Sequence, residues 1–97
     1  PEQIKVLPIT DDQLEYADQI AAQLREQDFR VAVDRRSERI GAKIRLARNE
    51  RVPYMMILGG NEQESQTVAL RGRDGEQTTM ALDAAMAQLR RESEQQG

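Results

Sequence analysis

The sequence predicts a three-layer α/β domain, and three observations carry that expectation. From Ile4 to Leu58, apolar segments of strand length alternate with segments of helical spacing, in the order strand, helix, strand, helix, strand. The run Tyr54-Met55-Met56-Ile57-Leu58 is continuously apolar, as a central strand buried on both faces requires. Helical crossovers between such strands are right-handed and return the chain parallel to itself, so helices cover both faces of the sheet.

Ile4 to Ile9 reads as the first strand, an apolar run interrupted by Lys5 and Pro8. Thr10-Asp11-Asp12-Gln13 matches a capping box, in which the Thr10 hydroxyl caps a helix and Gln13 reaches back from three residues on. Asp11 and Asp12 suit the positive end of the helix dipole. Leu14, Ala17, Ile20, Ala21 and Leu24 keep helical spacing to about Gln27. Phe29, Val31 and Val33 alternate with Arg30 and Ala32 as a second strand. Ser37 is placed to cap a second helix running to about Asn49, with Ile40, Ile44 and Ala47 as its apolar face. Pro53 stops further helix, and Gly59-Gly60 ends the third strand. Glu62 to Ser65 reads as a helical turn, and Thr67 to Arg73 as a fourth strand with Ala69 and Arg71 on one side. Asp74-Gly75 signals a turn, Gln77 to Met80 a short fifth strand, and Leu82, Ala85, Met86 and Leu89 stripe a last helix. One domain spans 1–97, its polar tail fraying from about Arg90. In such open sheets, ligands sit beyond the carboxyl ends of the strands where strand order reverses. With the first strand central, that rim gathers Thr10, the Asp34–Ser37 turn and the Gly59–Glu64 turn.

Composition removes many functions. There is no cysteine and no histidine, which excludes disulfides, thiolate and imidazole metal sites, and Ser-His or Cys-His catalysis. No apolar run approaches membrane-spanning length, and the N-terminus has no signal-peptide pattern. The chain begins at Pro1 without an initiator methionine, as a fragment or processed product does, and a cytoplasmic setting is expected. Gly59-Gly60 is not a phosphate-binding loop, and Ser37 and Ser65 have no base to activate them, so no enzyme site is expected.

Charge is the informative property. Seven of the fourteen basic residues lie between Asp34 and Arg51: Arg35, Arg36, Arg39, Lys43, Arg45, Arg48 and Arg51. Against Asp34, Glu38 and Glu50 they give that window +4, in a chain of net −3. Such a field draws a polyanion to one face. Arg39 and Lys43, four apart, share a helix face, where they would hold phosphates. Gly41 lies between them, at a helix position where glycine costs about 1 kcal/mol relative to alanine. Close packing or close approach of another backbone would account for it. Glu62 and Arg71 form a further pair. A carboxylate accepts from a base's imino and amino groups, and arginine forks to the O6 and N7 of guanine. One follows the third strand and the other lies on the fourth, so they are expected to converge beside the basic window on one edge; read alone, each is a surface charge.

Several blocks agree in order and spacing with one family. Asp34-Arg35-Arg36-Ser37-Glu38-Arg39-Ile40-Gly41-Ala42-Lys43-Ile44-Arg45 resembles the D-x-R-x-E-[KR]-I-G-x-K-I-R block of threonyl-tRNA synthetase C-terminal domains. Arg51-Val52-Pro53-Tyr54-Met55, Gly59 with Glu62, and Val68-Ala69-Leu70-Arg71-Gly72-Arg73 continue the likeness in register, from about Ile4 to Leu89.

The resemblance implies a class II anticodon-binding domain. Its fold would be α/β/α, a five-stranded mixed sheet with three main helices. It implies recognition of the anticodon loop of threonine tRNA, whose last two anticodon bases are G and U. Positions matching Glu62 and Arg71 contact anticodon bases in the family, and the position matching Ser37, often asparagine, approaches them. Arg39 and Lys43 match basic positions facing the RNA backbone, with Arg36 and Arg35 as helpers. The fragment itself would be non-catalytic and cofactor-free; ATP, magnesium and a catalytic zinc would belong to the parent synthetase, whose catalytic domain would be its other partner. Neither a membrane nor DNA is an expected partner. The competing readings are a homologous module of another tRNA ligase or polymerase accessory subunit, and a protein-interaction α/β module without RNA binding.

Overall fold

The computed structural model of the chain describes residues 2–96. In chain order its elements are β1 (Ile4–Pro8), a 3₁₀ turn (Asp11–Gln13), α1 (Leu14–Glu26), β2 (Val31–Val33), α2 (Ile40–Asn49), β3 (Tyr54–Leu58), α3 (Gly60–Ser65), β4 (Val68–Arg71), β5 (Gln77–Met80) and α4 (Leu82–Gln96). They build a five-stranded sheet of order β2-β1-β3-β4-β5. β1 pairs parallel with both β2 and β3, and the last two pairings are antiparallel, so the sheet is mixed.

The strands' period of two sorts the core onto two faces. Ile4, Val6, Val31, Met56, Leu58, Val68 and Leu70 pack with Ala17, Ile20 and Leu24 of α1 and with Leu82, Ala85 and Leu89 of α4. Leu7, Met55, Ile57 and Ala69 face the other way, onto Ala47, Ile40 and Ile44 of α2. The three layers are therefore α1 and α4, the sheet, and α2. A fully buried Leu or Ile in either cluster contributes about 1.5–3 kcal/mol.

The capping box opens the first helical segment as expected. Gln13 Oε1 accepts the Thr10 N–H at 3.1 Å, and Thr10 Oγ1 accepts the Asp12 N–H at 3.2 Å. The three following helix ends carried no glycine signal in the sequence. α1, α2 and α3 each stop at a left-handed residue, Asp28 (φ 70°), Arg51 (φ 61°) and Gln66 (φ 58°). At each the next N–H closes back five residues: Phe29 to Leu24 O, Val52 to Ala47 O and Thr67 to Glu62 O. This is the Schellman closure that glycine usually supplies.

Two sequence expectations are corrected here. Ser37 does not cap α2. Asp34 holds the Arg36 N–H at 3.1 Å, the chain stays in a turn, and the helix begins at Ile40 with Arg39 as an N-cap lacking a side-chain bond. The C-terminal segment is not a frayed tail from Arg90, because α4 continues to Gln96; Gly97 lies outside the described residues. Arg90 donates to Gln27 O at 3.1 Å and lies over the Phe29 ring, and Glu92 accepts from the Tyr54 hydroxyl. Burial, with the Glu92 bond and charge adding and Arg73 opposing, pushes that hydroxyl up to about 12.

Gly41 is exposed, and a methyl group there would meet nothing within 4 Å, so close packing does not explain it. Gly41→Ala is expected to raise stability by about 0.5–1 kcal/mol, since it removes backbone freedom from the unfolded chain without a clash. Asp28→Gly is expected to raise it by a similar amount, about 1 kcal/mol, by relieving a left-handed residue. Urea midpoints of the two variants check both.

Candidate nucleic-acid interface

The rim beyond the carboxyl ends of β1, β2 and β3 gathers the groups expected there, because β1 sits between β2 and β3 and strand order reverses across it. The Ser37 hydroxyl donates to the Asp11 carboxylate at 3.1 Å, joining the turn after β2 to the turn after β1. Glu62 Oε1 accepts the Gly59 N–H at 2.7 Å, which fixes the carboxylate at the start of α3. Its other oxygen has no partner among the described residues. A methyl group on Gly59 would press within 2.7 Å of Ile9 Cδ1 and 3.2 Å of Glu62 Oε1, so the bare glycine makes room for both.

The rim cations differ in availability. Asp34, 4% exposed, receives Arg36 Nε at 3.0 Å and Nη2 at 2.8 Å, so Arg36 is forked inward. Arg35 forks to Asp18 at 2.6 and 3.2 Å. Arg39 is exposed with no partner among the described residues. Lys43 contradicts the sequence reading: it is 1% exposed, and its Nζ donates to Pro8 O at 2.7 Å. Arg39 lies before the first helical turn, so spacing of four did not put the two side chains on one surface. The structure does not present Lys43 to an RNA backbone.

Arg71 and Glu62 do not converge. Arg71 pairs with Met55 near the start of β3, whereas Glu62 follows its end. Three residues of strand separate the two ends, about 10 Å at ~3.3 Å per residue. The basic window is divided in the same way. α2 is ten residues long, about 15 Å, and runs back across the sheet, so Arg39 stands at one end while Arg48 and Arg51 stand at the other.

At that second end lies a cleft of about 390 Å³ lined by Arg48, Arg51, Arg71 and Arg73 over Pro53 and Met55. Arg48, Arg51 and Arg73 form no ion pair among the described residues. Arg71 Nη1 donates to Gln77 Oε1 at 3.3 Å, but its Nε is buried without a hydrogen-bond partner. Arg71, Gln77, Ala69 and Thr79 share the α2 side of the antiparallel strands, where β5 is exposed beside the cleft. Sequence reasoning missed the cleft as a unit. Arg48 and Arg51 were counted in the basic window and Arg73 in a family block; the signal that would have joined them is Arg71-Gly72-Arg73 entering a turn opposite the end of α2.

A mixed α/β sheet with a polar rim and a cationic cleft at its opposite end is suited to holding a polyanion. The profile of the family described as Anticodon binding domain matches residues 3–92, and the chain belongs to that family. Its sequence likeness is to threonine–tRNA ligases. It is 53% identical over 47 residues to that of Thermosynechococcus vestitus and 45% identical over 47 residues to that of Methanosphaera stadtmanae. Each match covers 48% of this chain and 8% of the relative, so the chain spans a small part of those enzymes' length. The RNA binding domain of threonyl-tRNA synthetase from Cryptosporidium parvum superposes with a TM-score of 0.87 at 32% identity, covering 91% of this chain and 22% of that one. Histidyl-tRNA synthetase from a Nostoc species shares the fold, with a TM-score of 0.89 at 22% identity over 95% of this chain and 22% of that one.

The rim has a pH signature. The Arg36 side-chain bond holds the Asp34 carboxyl below its ordinary value against opposing burial, with the Arg36 backbone bond and the charges of Arg36 and Lys43 adding. The ionised form is favoured by folding. Its contribution is complete above the unfolded value of about 3.9 and is lost as pH falls through the lower folded value. Asp34→Asn is therefore expected to be less stable than the unaltered chain at neutral pH, with the gap closing below about pH 4. Urea midpoints across pH measure it.

Proposed function

We propose that the chain is the anticodon-binding part of a threonine–tRNA ligase and grips the anticodon loop of threonine tRNA. The observation that carries the reading is the cleft of four arginines in a member of the anticodon-binding family. Bases of an unpaired loop can be splayed out and read on their edges, while phosphates supply sequence-blind attraction. Arg71 takes the guanine and, because the two sites stand at opposite ends of the strands, Glu62 and Ser37 address a neighbouring base. Arg39, Arg48, Arg51 and Arg73 meet phosphates. The other partner is the parent's catalytic part, to which ATP, magnesium and zinc chemistry belongs. This domain adds no cofactor of its own. The setting is the cytoplasm, and among the described residues no helix is long and apolar enough to cross a membrane.

Titration with the anticodon stem-loop of threonine tRNA tests the reading. Arg71→Ala is expected to weaken the cognate stem-loop by about 1–3 kcal/mol and to leave a guanine-substituted one nearly unaffected. Equal losses on both would remove its specifying role. Arg48→Ala is expected to flatten the salt dependence by about 0.7 in the log–log slope, the share of one phosphate on a single strand, while Arg35→Ala, already paired with Asp18, leaves it unchanged.

A further inference from the structure

The buried ammonium of Lys43 has a different task from the one its charge suggests. Its Nζ donates to the carbonyl of Pro8, the last residue of β1, at 2.7 Å. Two residues earlier on the same strand, Val6 O accepts the Asp34 N–H at 2.9 Å. One strand end thus holds both ends of the segment from Asp34 to Lys43. Within the segment, Asp34 takes the Arg36 N–H at 3.1 Å and the Arg36 guanidinium at 3.0 and 2.8 Å, which closes the turn from inside. What the segment presents outward, Ser37 in the turn and Arg39 at the N-cap, lies between two fixed points. Burying a charge is expensive unless it is paired and bonded, and an apolar side chain of the same length would fill the space at less expense. The retained ammonium therefore serves placement.

We infer that Lys43 is a positioning residue for RNA recognition: it pins the first turn of α2 to the end of β1 and so sets where Ser37 stands beside Glu62, while the long, exposed Arg39 side chain keeps its own reach to phosphate. This rests on the RNA reading above. It replaces a direct phosphate contact by Lys43 with the placement of a base-reading group on the rim.

The test compares Lys43→Met with Arg39→Ala in the 97-residue chain, titrated with the threonine anticodon stem-loop across a range of salt concentrations. Lys43→Met is expected to lose roughly tenfold in affinity, the size of one specific contact, with the salt slope unchanged and the Arg71-dependent preference for guanine intact. Preference at the neighbouring anticodon base relaxes. Arg39→Ala flattens the slope by about 0.7. A slope change of that size in Lys43→Met would make Lys43 a phosphate ligand and overturn the inference, as would unaltered affinity or an equal loss of preference at the guanine. Should Lys43→Met not fold, the unaltered chain decides. Its Lys43 ammonium NMR signal, protected by burial, is expected to keep its shift and protection when the stem-loop is added, while the Arg39 Nε signal moves. Loss of protection would overturn the inference. Failure of the unaltered chain to bind any stem-loop would bring down the RNA reading, and this inference with it; failure of the inference alone leaves the Arg71 discrimination standing.

Discussion

The path of α2 across the sheet is the constraint on which both ends of this domain depend. Four contacts lay it down. The Lys43 ammonium reaches the end of β1, and Ile40, Ile44 and Ala47 pack on Leu7, Met55 and Ile57. Lys5 bonds Glu50 at 2.9 Å near the other end, and the left-handed Arg51 turns the chain into β3. A basic segment that looks continuous in sequence is thereby split into a rim cation and an arginine cleft. The same path leaves β5 exposed beside the cleft.

The division gives each end its own chemistry. At the rim the charges are largely internal: Arg36 answers Asp34, Arg35 answers Asp18, and Ser37 answers Asp11. What remains outward is polar and directional, suited to reading a base edge. At the cleft nothing acidic opposes the guanidinium groups among the described residues that line it, and their planar forks match phosphate and guanine geometry. The rest of the surface carries the acidic excess of a chain of net −3, so a polyanion is drawn toward one side.

Most of the fold was legible in the sequence, because its signals are local. The Thr10–Gln13 box, the alternation around Val31 and Val33, the apolar run of β3 and the Asp74-Gly75 turn each specify an element within a few residues. The errors arose where a distant partner decides. Ser37 looked like a cap because nothing in its neighbourhood reveals that Asp11 holds its hydroxyl. Lys43 looked like a surface cation because the carbonyl of Pro8, thirty-five positions away, leaves no trace near it. Arg90 onward looked loose because Gln27, Phe29 and Tyr54, which pin it, come from distant parts of the chain. Glu62 and Arg71 were expected to converge, but antiparallel register, which sets them at opposite strand ends, is a property of the pairing and not of either residue.

The most direct test is a map of amide chemical-shift changes on the chain as the threonine anticodon stem-loop is added. The account predicts two clusters of change, one at Ser37, Arg39 and Glu62 and one at Arg48, Arg71, Arg73 and Gln77. The outward residues of α1 and α4 stay silent. Changes confined to α1 and α4, with the rim and the arginine cleft unmoved, would contradict it.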